Sequence, residues 1–110
     1  MSERIEKLNA LIGHEIASIL EREIAINGLI ITVVRAVASP TLEHATIFIS
    51  VFPEGRIHEA LEEIDYAIYD IQQQFNKRMK MRTVPKLQFK IDRTEEQASK
   101  IEEILKKVDN

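Results

Sequence analysis

Apolar residues recur at intervals of three and four over the first part of the chain. They are Ile5, Leu8, Ile12, Ile16, Ile19 and Leu20. This spacing places their side chains on one side of an α-helix, and Ser2 is a suitable residue to cap its start. The sequence therefore predicts an amphipathic first helix that stops at Asn27-Gly28, a turn-forming pair.

Two strand patterns follow the turn. Residues 29–37 are rich in Ile, Val and Thr and are apolar on both faces, which predicts a central strand that is covered on both sides. Residues 45–52 alternate, with Ile47, Ile49 and Val51 on one face. Because the connection is short and contains Ser39-Pro40-Thr41, we expect the two strands to form an antiparallel hairpin.

Helical periodicity returns at Ile57 and continues to Met79, which predicts a helix that is long for a domain of this size. Residues 87–91 then alternate as a third strand with one buried face. A capping-box pattern at residues 94–97 opens a last helix. The αββαβα order predicts an α+β fold with a small three-stranded mixed sheet and helices on one face. No linker or repeat interrupts residues 1–110, so we expect one domain.

The composition indicates the class of protein and the cellular compartment to expect. The chain has 110 residues, 45% of them hydrophobic, which suffices for a core. It contains no cysteine, which excludes disulfides and thiolate zinc sites and favours a reducing cytoplasm. No apolar run approaches the ~20 residues of a membrane span, and no secretory signal is recognisable. We therefore expect a soluble, cytoplasmic protein without a membrane partner.

The sequence contains no recognisable set of catalytic residues. His14, His44 and His58 are far apart, whereas a metal site needs convergent ligands. The glycines build no phosphate-binding loop and the serines no nucleophile elbow. We expect no enzyme activity, metal, cofactor or small-molecule substrate. A small hydrolase, the alternative, would need a pocket of clustered carboxylates with shifted pKa values.

Charge is unevenly distributed. The net charge is −3, yet residues 77–93 carry seven cations against Asp92 alone. A local excess of this size attracts phosphate despite the negative total. We expect a helix end, a turn and a strand face to meet at one cationic corner. The candidate RNA-binding residues are Arg22, Arg35, Lys77, Arg78, Lys80, Arg82, Lys86 and Lys90.

Residues 81–92, Met-Arg-Thr-Val-Pro-Lys-Leu-Gln-Phe-Lys-Ile-Asp, resemble the signature of the ribosome-binding factor A family. The positions that the family fixes are occupied by Arg82, Pro85, Leu87, Phe89 and Asp92. Residues 39–51 resemble the family's turn and following strand, and residues 19–24 resemble the end of its first helix. The three stretches cover most of the chain in family order.

The resemblance implies that residues 1–110 form a single RNA-binding domain of the type II KH-like fold. It implies binding to the small (30S) ribosomal subunit late in 16S rRNA maturation, near the 5′-terminal rRNA helix and the decoding-region neck, with a role in cold adaptation. We expect the factor to act as a monomer. The alternative is a protein-interaction or dimerisation module without RNA binding.

The sequence departs from the family pattern in the long helix. The family has an Ala-x-Gly kink, and here Ala67 matches while Tyr69 replaces the glycine. Since glycine weakens a helix by ~1 kcal/mol relative to alanine, Tyr69 predicts a straighter helix or a bend driven by packing. Gln72 stands where the family has Arg, which removes one candidate phosphate contact.

Overall fold

The computed structural model describes residues 2–93, and the last helix predicted from residue 94 onward lies outside them. The elements in chain order are α1 (Ser2–Glu23), β1 (Ile30–Ala38), β2 (His44–Phe52), a short 3₁₀ turn (Glu54–Arg56), α2 (Ile57–Arg78) and β3 (Lys86–Ile91). The predicted order from the first helix to the third strand is confirmed. The first helix ends at Glu23, ahead of the predicted stop at Asn27-Gly28.

The three strands form one mixed sheet in the order β1-β2-β3. The hairpin partners β1 and β2 are antiparallel, as predicted, whereas β2 and β3 are parallel. The prediction that β1 is the central, doubly covered strand is wrong, because β2 lies in the centre. The apolar residues on the second face of β1 meet solvent instead, with Ile30 59% and Val37 43% exposed.

A bulge in β1 changes which side chains face the helices. The pairing with β2 shifts between Val33 and Arg35, so that Val34 is an extra residue. Before the bulge, Val33 pairs with Ile49, and after it Ala36 pairs with Ile47. Since an extra residue reverses the alternation of side chains, Ala36 returns to the core and Arg35 points to the opposite face.

The core lies between the two helices and one face of the sheet. The apolar stripes predicted for the helices supply much of it, and β2 contributes its alternate residues. The buried side chains of these elements are Ile12, Ile16, Ile19 and Leu20 of α1, Ala45, Ile47, Ile49 and Val51 of β2, and Ala60, Ile64, Ile71 and Phe75 of α2. The α+β architecture with helices on one face agrees with the predicted type II KH-like fold.

A side-chain amide from each helix holds an outer strand. The Oδ1 atom of Asn9 in α1 accepts a hydrogen bond of 2.9 Å from the N–H of Ala38 in β1. Gln72 of α2 accepts one of 2.9 Å from the N–H of Leu87 and donates one of 3.1 Å to the carbonyl of Pro85. These bonds fix the helices relative to the sheet.

Arg56, the residue before α2, holds the connection between α1 and β1. Its Nη1 donates to the carbonyl of Asn27 over 3.0 Å, and its Nε lies 2.8 Å from Glu59 Oε2. The neighbouring Gly28 has a φ of 77°, a backbone conformation that residues with a Cβ rarely adopt. The turn predicted at Asn27-Gly28 is therefore confirmed as a turn, although the helix has already ended.

Candidate nucleic-acid interface

The histidines do not form a site. His14, His44 and His58 are all exposed, and His58 pairs with Glu62 over 2.9 Å on the surface of α2. Within residues 2–93, no three His, Cys, Asp or Glu side chains are placed to hold a metal ion. In the same part of the chain, no helix is long and apolar enough to cross a membrane.

A hydrolase would need a cavity for its substrate. The candidate for such a cavity is a groove of about 470 Å³ between α2 and β3. Its lining is mainly apolar, with Leu61, Ile64 and Phe89 among its residues. Its polar residues are all exposed to solvent: His58, Glu62, Asp65 and Gln88. His58 and Glu62 form an ordinary surface pair one turn apart on a helix. The groove therefore gives the hydrolase alternative no support.

Four exposed cations follow one another at the end of α2, along the connection and into β3. We call them the cationic corner: Lys77, Lys80, Arg82 and Lys86. Buried apolar residues between them anchor the chain, since Met79 and Pro85 are each inside the core. Among residues 2–93, these four cations have no hydrogen-bonded or ion-paired side-chain partner, so their charge is available to a ligand.

Arg78 and Arg22 lie beside the corner but are already engaged. Arg78 Nη1 lies 3.1 Å from Glu15 Oε2, an ion pair between α2 and α1 with both side chains 25% exposed. Arg22 Nη2 donates to Gln74 Oε1 over 3.0 Å. Both arginines thus join the two helices, and a phosphate contact by either would compete with this role.

Arg35 and Lys90 lie on the opposite side of the sheet from the helices. Arg35 Nη1 is 3.5 Å from Asp92 Oδ2, and its guanidinium carbon is 4.1 Å from the centroid of the Phe48 ring. Lys90 pairs with Phe48 in the register of β2 and β3. The predicted residues therefore separate into two groups, and Lys86 lies where they meet, at the start of β3. RNA contact by any of them stays a prediction.

Phe48, whose ring lies under the Arg35 guanidinium, is a candidate site residue that the sequence pattern did not single out. The alternation of β2 already placed it on the face opposite Ile47 and Ile49, which is the signal that could have found it. The bulge in β1 that places Arg35 over the Phe48 ring could not be recognised from the pattern of apolar and polar residues.

The helix α2 continues without interruption through the positions where the family has its kink. Ala67 is half-buried, and Tyr69 is 71% exposed beside Tyr66, which is 91% exposed. The consequence of Tyr69 for the bend of α2 stays a prediction.

Comparison with known proteins agrees with this architecture. The family model of ribosome-binding factor A matches residues 4–105. Ribosome-binding factor A of Chlorobaculum tepidum is 32% identical over 111 residues, which cover 98% of this chain and 92% of that protein. The crystal structure of ribosome-binding factor A from Thermus thermophilus superposes with a TM-score of 0.72 at 21% identity, covering 82% of this chain and 97% of that one.

A homology model of the Thermus thermophilus factor, fitted into a cryo-electron microscopy map of its complex with the 30S subunit, has a TM-score of 0.66 at 22% identity. It covers 80% of this chain and 94% of that one. These structures share the fold described above. By its match to the family model and its identity with the curated relative, the chain belongs to the ribosome-binding factor A family.

Proposed function

We propose that this chain is a ribosome assembly factor that binds the small ribosomal subunit in the cytoplasm and assists late maturation of 16S rRNA. Membership of the ribosome-binding factor A family supports the proposal. The Thermus thermophilus relative was fitted into a map of a 30S complex, and we extend that partner to this chain.

The observation that carries the proposal is the cationic corner. Its four side chains are exposed and lack acidic partners among residues 2–93, so each can neutralise a phosphate. Contacts of this kind position a protein on RNA without reading its sequence. The mechanism is conformational: the bound factor stabilises one arrangement of the rRNA until maturation displaces it, and no cofactor is required.

Co-sedimentation with isolated small subunits over a series of salt concentrations tests the proposal. If all four cations engage phosphate, log affinity should fall against log salt with a slope of roughly −3 to −4. A slope near zero would reject the electrostatic contact. Absence of co-sedimentation at low salt would reject the subunit as the partner.

A pair of variants with equal changes in net charge locates the contact. Lys80→Gln removes a cation from the corner and should make the slope shallower by about one. Ala25→Glu adds an acid at an exposed position in the connection between α1 and β1, and should leave the slope unchanged. Equal effects of the two variants would show that overall charge, and not the corner, governs binding.

The alternative function, a dimerisation module, is favoured by exposed apolar side chains such as Ile30 and Phe52, which are 59% and 67% exposed. It predicts a molar mass that rises with concentration and binding that ignores salt. Sedimentation equilibrium with and without small subunits separates the alternatives. We expect the monomer mass at all concentrations.

A further inference from the structure

The sheet has one face that no helix of the described residues covers. Both α1 and α2 pack on the side that carries Ile47 and Ile49. We call the other side the open face, and its characteristic residues are Arg35, Phe48, Phe52, Lys86 and Lys90. It lies across the sheet from the helices and meets the cationic corner at Lys86.

A stacked pair occupies the middle of the open face. Arg35 pairs with Phe48 across β1 and β2, and Phe48 pairs with Lys90 across β2 and β3. The bulge in β1 directs the Arg35 guanidinium over the Phe48 ring, at 4.1 Å from its centroid. The same guanidinium forms an ion pair with Asp92, with 3.5 Å between Arg35 Nη1 and Asp92 Oδ2. The result is a flat aromatic and guanidinium surface next to a lysine.

Phe52 supplies a second aromatic ring on the same face. It lies four residues beyond Phe48 along β2, a separation of ~13 Å. Its side chain is 67% exposed, and its cross-strand neighbour Ile30 is 59% exposed. Exposed aromatic rings on a sheet are the surfaces on which unpaired bases stack in single-stranded RNA complexes.

The charges of the open face select its occupant. Three cations, Arg35, Lys86 and Lys90, stand against one described acid, Asp92. A second copy of this chain, related by a two-fold axis, would bring the same cations together, which is unfavourable. Duplex RNA would offer phosphates but keep its bases stacked, leaving the Phe52 ring without a partner. A single strand offers both phosphates and free base faces.

We propose that the open face binds a short single-stranded RNA segment. One base stacks on Phe52 and a second packs against the Arg35–Phe48 pair. The phosphate of the second base approaches Lys90, and the strand continues away from Phe52 toward Lys86. This inference rests on the proposed function, because it names the part of the rRNA that the factor holds: an unpaired segment.

Fluorescence anisotropy with the full-length chain tests the inference. The probe is a labelled oligouridine of about 12 nucleotides, compared with a blunt-ended RNA duplex of about 12 base pairs. Phe52→Ala should weaken oligouridine binding roughly 5- to 150-fold, the range measured for loss of one stacked base. Phe52→Tyr should bind like the wild type, since the ring is kept. Tyr66→Ala removes an even more exposed ring, 91% against 67% for Phe52, from α2 and should change nothing.

Lys90→Gln provides a second, independent measurement. It should make the salt slope of oligouridine binding shallower by about 0.7, the value for one phosphate of a single strand. If Phe52→Ala and Lys90→Gln both bind oligouridine like the wild type, the inference is wrong. It is equally wrong if the duplex binds as tightly as the single strand.

Co-sedimentation of the same variants with small subunits separates this inference from the proposed function. Wild-type protein that binds subunits but not oligouridine would overturn the inference and leave the proposed function standing. Protein that binds oligouridine but never subunits would overturn the proposed function and support the open face as a single-strand site.

Discussion

Gln72 and Leu87 join the long helix to the third strand: the N–H of Leu87 donates a hydrogen bond of 2.9 Å to Gln72 Oε1. The same side chain donates from Nε2 to the carbonyl of Pro85 over 3.1 Å. Leu87 and Pro85 are both buried, so water cannot replace the amide without entering the structure. Gln72 thus has a structural role at a position where the family has a cation.

Gln72→Leu should therefore destabilise the fold. The substitution leaves the Leu87 N–H and the Pro85 carbonyl without partners, at a cost of about 1–3 kcal/mol for an unsatisfied buried group. Urea denaturation followed by circular dichroism measures the change. Gln73→Leu, at the neighbouring exposed position, is the control and should stay near the wild type. Equal stability of the two variants would contradict the role given to Gln72.

Gly28 and Gly55 should respond differently to alanine. Gly28 has a φ of 77°, and a Cβ there would lie 3.3 Å from Arg56 Nη1, so Gly28→Ala should cost ~1 kcal/mol. A Cβ on Gly55 would meet no atom within 4 Å, so Gly55→Ala should change stability by less than ~0.5 kcal/mol. Thermal unfolding of both variants makes the comparison, and a loss at Gly55 equal to that at Gly28 would refute it.

Phe75 is the largest fully buried side chain among the described residues. Phe75→Ala should lower the free energy of unfolding by about 3–5 kcal/mol, because it removes apolar contacts and leaves a cavity. Tyr69→Ala, at a position 71% exposed on the same helix, should have a small effect. Chemical denaturation of the two variants gives both values. If Phe75→Ala lowers the free energy of unfolding by less than Tyr69→Ala does, the core must collapse around the cavity, which contradicts the prediction.

The Arg56–Glu59 pair predicts a pH dependence. The hydrogen bond from Arg56, helped by the attraction of opposite charges, lowers the pKa of Glu59 below its ordinary value, against a smaller opposing effect of desolvation. The pair therefore stabilises the fold above the unfolded-state pKa of about 4.3, and this contribution is lost as the pH falls through the lower folded-state pKa.

Glu59→Gln should accordingly be less stable than the wild type near neutral pH, and the difference should shrink on acidification below about pH 4. Urea denaturation at several pH values measures it. Glu63→Gln, which alters an exposed carboxylate on the same helix, should show no such convergence. A difference that stays constant down to the acid transition would argue against the pair.

Much of the fold could be predicted because helical spacing is a strong signal. Ile12, Ile16 and Ile19 form the buried stripe of α1 that their spacing indicated. The position of β1 could not be predicted in the same way. Residues such as Ile30 and Val37 are apolar yet exposed, and a sequence does not distinguish a covered apolar face from an open one.

The candidate site was only partly predictable. Lys77, Lys80 and Arg82 are close in sequence, so their proximity at the end of α2 follows from the chain itself. Arg35 could not be placed, because a single extra residue in the bulge decides which face of the sheet it joins. The engagement of Arg78 by Glu15 depends on how α1 crosses α2, a relationship that residue spacing does not encode.

The amides of Asn9 and Gln72 have one more consequence. The N–H groups of Ala38 and Leu87, on the two outer strands, both donate to these side chains. Such groups are the positions at which a strand from another molecule would attach in edge-to-edge aggregation. Each helix therefore occupies one outward N–H group on an edge strand, on β1 or on β3. This hinders strands of other molecules from adding to the sheet.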